Sequence, residues 1–282
     1  MAETFSFLKR IFSLGTRKAE ETNLAEYILD FSSQTPDQKN YATTHLGRLV
    51  RTLEITPHGT KQDKILEMGA YMQITPALSG VLGYGEVRGC YLGPLGKTDQ
   101  KEVTSVSGKK FECAIDLFNA EKDRYPYADG SVATVLCCEL FEHLSEDPMY
   151  LLSEVNRVLR TGGHLVLSTP NIASIRSVAA VIQGSHPGLY QQFIRPKDGG
   201  VDPRHAREYT PSEMKLALEA AGFQVELLET GPYGAEAPKG YEWAEQLLKE
   251  RNLSQELRGD TIHIVGKKIG PVVDRFPAWL YD

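Results

Sequence analysis

An open α/β sheet of mostly parallel strands, with helices on both faces, is what this chain of 282 residues predicts, and three observations carry the prediction. Val132 to Cys138 is a β-branched, nearly all-apolar run, as expected of a parallel strand covered on both sides. From Pro148 onward, Leu151, Leu152, Val155, Val158 and Leu159 recur at three- and four-residue steps and mark one apolar helix face. His164 to Ser168 is a second apolar run, closing at Thr169-Pro170-Asn171. Between helix and second strand, Thr161-Gly162-Gly163 predicts a helix stop, because glycine tolerates the left-handed conformation of a C-terminal cap. A β-α-β unit carries its functional residues at the carboxyl ends of the strands, here Cys138-Glu139 and Pro170-Asn171.

The remaining elements follow in order. Phe5, Leu8 and Phe12 share a helical face among Lys9, Arg10, Arg17 and Lys18, so residues 5–18 fit either a peripheral membrane contact or a helix packed on protein. Asp37 to Leu53 reads as one helix, with Tyr41, His45, Leu49 and Leu53 four apart. The sheet would begin at Lys64 to Gly69. A second strand, Glu86 to Cys90, precedes a Gly-Pro-Leu-Gly loop, and a third, Phe111 to Leu117, runs into Phe118-Asn119-Ala120-Glu121. Pro211 to Ala221 reads as a helix, Phe223 to Leu228 and Thr261 to Gly266 as the last strands, and Trp243 to Arg251 as a helical piece between them. The expected organisation is an N-terminal helical extension over 1–60 and one α/β domain over 61–282, with insertions at about 172–207 and 231–259.

Composition narrows the class. Hydrophobic content of 41% and charged content of 24% are those of a globular protein. A formal net charge of -6 argues against an extended nucleic-acid footprint. None of the four cysteines (Cys90, Cys113, Cys137, Cys138) forms a C-x-x-C pair, which points to core thiols in a reducing compartment. No apolar run approaches the roughly 20 residues that span a bilayer, and the start lacks a secretory pattern, so a cytoplasmic location, with residues 5–18 as the one candidate for membrane contact, is the expectation.

The string SVATVLCCELFEHLSEDPMYLLSEVNRVLRTGGHLVLSTPN resembles class I S-adenosylmethionine-dependent methyltransferases, in particular those with an EH pair after the fourth strand and an RVLxxGGxLxxSTPN ending. The resemblance implies a Rossmann-like fold with a seven-stranded sheet, S-adenosylmethionine as cofactor, and helices before the first strand that close its site. The family's first strand ends in an acid and a GxGxG loop, where glycines let the backbone approach the cofactor. Here the string is LEMGAYMQITPAL: Glu67 and Gly69 match, while Tyr71 and Gln73 stand at the second and third glycines. Tyr91 occupies the place of the acid that accepts from the ribose hydroxyls. Asn119 replaces the adenine-contacting acid, with Glu121 nearby. The resemblance thus implies a cofactor site shaped by Glu67, Gly69, Ala70, Tyr91, Asn119 and Glu121. A pocket that holds another ligand, or none, is the alternative.

Glu139, Glu142 and His143 form E-x-x-E-H, and helical spacing would turn all three to one face. His205 begins an H-x-x-E-Y-T string. The combination resembles metal-dependent small-RNA 2′-O-methyltransferases, and its first half the ubiquinone-pathway O-methyltransferases. By that resemblance Glu139, Glu142, His143 and His205 hold a divalent ion, whether magnesium, manganese, iron or zinc, that orients an acceptor hydroxyl and lowers its pKa. The plain reading stands beside it, since acids in a helix's first turn are favoured by the macrodipole alone. Without a metal, His143 and His205 are the candidate general bases. His164 and His263 sit in strand patterns and read as packing residues.

On the acceptor side, Tyr190, Phe193, Arg195, Lys197 and Arg204 combine aromatic and basic groups suited to a sugar bearing anionic groups, or equally to a nucleotide. The expected activity is O-methylation of a small hydroxylated acceptor, a sugar or glycoconjugate. A metal-dependent hydrolase or lyase on a reused fold, or a non-catalytic binding module, are the competing classes.

Overall fold

The computed structural model describes residues 23–189, 205–234 and 239–282. The basic segment of residues 5–18 and the acceptor-side candidates Tyr190 to Arg204 lie outside them. Three helices come first: α1 (Leu24–Ser32), α2 (Pro36–Thr44) and α3 (Leu46–Ile55). The expected single helix over Asp37 to Leu53 is broken at His45, which caps α2 and opens α3. Then follow β1 (Lys64–Met68), α4 (Thr75–Gly80), β2 (Glu86–Tyr91), β3 (Lys97–Thr104), β4 (Lys110–Leu117) and β5 (Val132–Cys138). A 3-10 turn (Phe141–His143) leads to α5 (Pro148–Val158), β6 (Leu159–Pro170), α6 (Ile175–Ile182), α7 (Pro211–Ala220), β7 (Phe223–Gly231), α8 (Glu242–Glu250) and β8 (Thr261–Lys268).

These strands form one sheet of eight in the order β3-β4-β2-β1-β5-β6-β8-β7. Seven of them are the expected ones; the eighth, β3, was not. It pairs antiparallel with β4 from Lys97↔Leu117 to Thr104↔Lys110. Its sequence KTDQKEVT is polar and mostly exposed because it is an edge strand, so it carries no hydrophobic signal. A second correction falls at Thr161-Gly162-Gly163. Helix α5 ends at Val158, and the glycines belong to β6, where the register against β5 shifts between Val132 and Thr134.

Successive residues of the central strands feed two different cores, which is why those strands read as continuous apolar runs. Leu66, Val135, Cys137, Leu165 and Leu167 pack with Met149, Leu152 and Val155 of α5 and with Met214 and Leu218 of α7. Ile65, Leu136 and Val166 face the other way, onto Ile28 of α1, Leu53 of α3 and Leu78 of α4. The helices before β1 therefore share a core with the sheet. Among the described residues no helix is long and apolar enough to cross a membrane.

One charged group sits inside the β2–β4 side of the sheet. Asp116 is buried and accepts from Arg88 at 2.5–3.0 Å, from the Tyr127 hydroxyl at 2.7 Å and from Thr98 at 2.8 Å. It ties three strands and the loop before β5. We expect Asp116→Ala to lower stability by about 3 kcal/mol, since it strands a half-buried guanidinium; urea unfolding followed by circular dichroism checks this.

Candidate active site

The carboxyl edge of the sheet collects the site, and β1 contributes the first part. Glu67 is buried at the end of β1, and its Oε2 has no hydrogen-bond partner. Burial pushes its pKa up from 4.5 to about 7, with the Thr75 hydroxyl opposing in part. Gly69 follows with φ of +69°, a conformation that favours glycine, and its N–H donates to the Cys90 carbonyl at 3.0 Å. Ala70 is fully buried against β2, where a Cβ at Gly89 would lie only 2.6 Å from the Ala70 Cβ. Beyond it the loop departs from a glycine pattern: Tyr71 is exposed, and Met72 takes the left-handed conformation with φ of +70°.

Tyr91 lies across this crevice. Its hydroxyl donates to the Ala70 carbonyl and accepts from Lys101 Nζ at 2.7 Å, and Lys101 sits 4.4 Å over the ring. The Tyr71 ring lies 5.3 Å away. Asn119 Oδ1 accepts from the Glu121 N–H at 2.9 Å and the Asn119 N–H donates to Asp123, a closed local turn. Glu121 is turned to the segment before α5, where Oε1 accepts the N–H groups of Glu146 and Asp147. Glu67, Gly69, Ala70 and Tyr91 therefore share one crevice, while Asn119 and Glu121 are occupied in shaping the loop after β4.

The second part grows from the parallel pairing of β5 with β6, which runs to Cys138↔Ser168. The chain turns sharply at Glu139, whose φ is +51° and whose N–H donates to the Ser168 carbonyl at 2.8 Å. Each polar residue of the Ser168-Thr169-Pro170-Asn171 ending then holds a different partner. Ser168 Oγ donates to Glu139 at 2.9 Å, and Thr169 Oγ1 to Glu142 Oε2 at 2.9 Å. The Asn171 amide donates to the carbonyls of Leu257 and Gly259.

Glu142, His143 and His205 converge so that one potential ligand atom from each lies within 4.8 Å of the others. Glu142 is 1% exposed; burial pushes its pKa up, and the two imidazoles oppose the shift. Its Oε1 is 3.9 Å from His143 Nε2, and the His143 and His205 rings stack edge to face at 5.0 Å. His205 is brought in by its own neighbours, since the N–H groups of Ala206 and Arg207 donate to the Glu142 carbonyl. Glu208, from the same H-x-x-E string, lies 2.8 Å from His205 Nδ1. That contact fixes the ring.

Glu139 is not part of this group, which corrects the four-residue set. The E-x-x-E-H string is not an α-helix; only Phe141–His143 is helical, as a 3-10 turn. The left-handed backbone at Glu139 sends its carboxylate toward α3, where Oε2 is 3.0 Å from Arg48 Nη1 in a buried ion pair. Sequence reasoning assigned no role to Glu208 or Thr169, although both lie in strings it singled out. Arg48 carried no signal at all, being simply one cation of a helix.

The fold is that of the class I methyltransferases, and comparison with known proteins agrees. Residues 95–167 match the family model of a methyltransferase domain. The chain is 32% identical over 128 residues to a probable S-adenosylmethionine-dependent methyltransferase of Mycolicibacterium smegmatis, covering 45% of this chain and 42% of that protein. It is 26% identical over 142 residues to a protein of the same description from Mycobacterium tuberculosis, covering 50% and 45%. It thus spans less than half the length of these curated relatives. Among solved structures, an S-adenosylmethionine-dependent methyltransferase from Archaeoglobus fulgidus aligns with a TM-score of 0.52 and 18% identity, over 82% of this chain and 98% of that one. A chain of the complex between a Haloferax volcanii methyltransferase and the Trm112 methyltransferase activator aligns at 0.53 and 16%, over 88% and 98%. The resemblance read from residues 131–171 is borne out, as is the Rossmann-like fold, with eight strands in place of seven.

A pH effect follows from Glu67. Its native pKa lies above the ordinary value, so the folded state binds the extra proton between pH 4.5 and about 7, and stability falls as pH rises through that window. Glu67→Gln removes the loss. The variant should be more stable than wild type at pH 8, by on the order of 3 kcal/mol, and the gap should close toward pH 4.5. Thermal melts across that range check both the sign and the window.

Proposed function

We propose that this chain is an S-adenosylmethionine-dependent O-methyltransferase acting on a small hydroxylated acceptor, a sugar or glycoconjugate, with one divalent ion at Glu142, His143 and His205. The observation that carries the reading is the convergence of one buried carboxylate and two imidazoles on the carboxyl edge of a methyltransferase fold. Family-level likeness supports methyl transfer; the metal and the acceptor rest on the geometry.

The cofactor crevice fits its ligand at one end. The unpartnered Oε2 of Glu67 can accept from the ammonium of a methionine moiety, and Gly69 lets the backbone approach it. At the ribose end no carboxylate stands ready; the Tyr91 hydroxyl and Lys101 do. The ion site also fits, because Thr169 and Glu208 orient Glu142 and His205 from behind as supporting groups do at metal centres. With Glu139 withdrawn, two imidazoles and one carboxylate suit manganese, iron or zinc better than magnesium. When bound, the cofactor supplies an electrophilic methyl group and the ion a Lewis acid that lowers the acceptor hydroxyl's pKa. The chain's own part is to hold the hydroxyl beside Glu142 and the imidazoles, keep bulk water from the buried carboxylate, and take up the released proton at an imidazole or in solvent.

The replacement of the ribose acid by Tyr91 favours a second reading, a metal-dependent hydrolase that has given up the cofactor. Calorimetric titration with S-adenosylmethionine separates the two. The methyl-transfer reading expects saturable binding, weakened at least tenfold in Gly69→Val; absence of heat up to millimolar ligand would overturn it.

The ion assignment is tested by metal content after dialysis against manganese. We expect about one equivalent in wild type and in Glu139→Gln, and less than a tenth of that in Glu142→Gln and in His205→Ala. Equal loss in Glu139→Gln would restore the four-residue set.

A further inference from the structure

A second cavity opens on the carboxyl edge, on the α3 side of the sheet. It has a volume of about 330 Å³ and is lined by Gly47, Arg48, Arg51, Glu54, Glu229 and His263, among others. That size lies at the lower end of the roughly 300–1,000 Å³ of small-ligand sites. It adjoins the site already described, for Arg48 pairs with Glu139, and Glu139 with Ser168. Ser168 and Thr169 are consecutive on β6, so one side chain faces this cavity's wall and the next faces Glu142. The cavity and the Glu142–His143–His205 group thus flank the end of one strand from its two sides.

Two lining side chains have buried atoms without a hydrogen-bond partner. Arg48 Nε and His263 Nδ1 belong to residues only 5% and 2% exposed. Leaving such groups unpaired costs about 1–3 kcal/mol each. The reading of His263 as a packing residue leaves that cost unexplained. The cavity carries no surplus positive charge, which argues against an anion as the natural occupant. Arg51 is clamped by Glu229 at 2.5 and 2.9 Å and by Glu54 at 3.0 Å, and Arg48 by Glu139 at 3.0 Å. Two guanidiniums thus face three carboxylates. Paired donors and acceptors set side by side suit a ligand whose own groups both donate and accept, which hydroxyls do and phosphate or carboxylate does not.

We propose that this cavity seats a neutral, polyhydroxylated ring, a monosaccharide unit of the acceptor, and so selects the substrate whose hydroxyl is methylated. The acceptor role rests on the methyl-transfer reading; the binding itself does not. The Arg51–Glu229 pair would bond ring hydroxyls, and a turn of the Arg48 or His263 side chain would bring its unpaired nitrogen to the same ring.

Gly47 provides a variant that fills the cavity without disturbing the fold. A Cβ there would meet only the Gly234 carbonyl, at 3.6 Å, and Gly47 lies in the first turn of α3. The probes are the methyl α-glycosides of glucose, galactose and mannose at millimolar concentration, read by saturation-transfer NMR on the full chain, with glucuronate and inorganic phosphate as separate arms. At least one glycoside should bind wild type, and Gly47→Leu should weaken it at least tenfold, with Arg51→Ala weakening it in the same direction. S-adenosylmethionine affinity, measured on the same samples, should stay within twofold and so reports that Gly47→Leu is folded. No glycoside binding to wild type, unchanged binding in both variants, or preference for glucuronate or phosphate would each overturn the proposal. Glycoside binding without S-adenosylmethionine binding would keep the cavity's role and sink methyl transfer. The reverse would sink the cavity alone.

Discussion

The parallel pairing of β5 with β6 is the constraint on which the rest of the site depends. Because that pairing stops at Cys138↔Ser168, where β5 ends and β6 runs on to Pro170, the turn after β5 is held beside Ser168 and Thr169. Ser168 and Thr169 point to opposite faces of the sheet, and each captures one carboxylate of the following turn: Glu139 on the α3 side, Glu142 on the α7 side. A shift of one residue in that register would exchange the two faces and leave both carboxylates unsupported. The burial of Glu142 is sustained by this arrangement, since a carboxylate 1% exposed needs donors or cations close by, and Thr169 and the two imidazoles are those neighbours.

From this one register the division of labour follows. Arg48 reaches over from α3 to neutralise Glu139, which draws the first acid of E-x-x-E-H away from the second and joins the N-terminal helices to the sheet edge. His205 arrives from the far side of the segment 190–204, brought in by hydrogen bonds to the Glu142 carbonyl and steadied by Glu208. Asn171 pins the loop of Leu257 to Asp260 above β6. One helix, one sheet edge and two loops are thereby coupled to four consecutive residues of β6 and its end. Substitution at Thr169 or Asn171 should therefore be felt in several places at once.

Much of the fold was legible in the sequence because the central strands are buried on both faces: Val132 to Cys138 and His164 to Ser168 have no polar side to hide. β3 was illegible for the opposite reason, since an exposed edge strand such as KTDQKEVT carries little apolar pattern. The break at His45 was hidden by an apolar period that continues through it, although the backbone does not. In the site, the grouping of Glu142, His143 and His205 could be anticipated from strings of residue types. The departure of Glu139 could not, because it depends on a left-handed backbone at a non-glycine residue and on a tertiary partner 91 places earlier in the chain, a helix cation with no local signature. Tyr91 was identified as out of pattern, but its bond to the Ala70 carbonyl and its Lys101 partner on β3 depend on a strand the sequence concealed.

The most direct test of the account is a crystal structure of the chain grown with S-adenosylhomocysteine and manganese, with anomalous data collected at the manganese edge. The account predicts the nucleoside beside Glu67 and Gly69, and one anomalous peak about 2.0–2.6 Å from ligand atoms of Glu142, His143 and His205, with Glu139 still on Arg48. An anomalous peak on Glu139, or an empty cluster with the metal elsewhere, would contradict it.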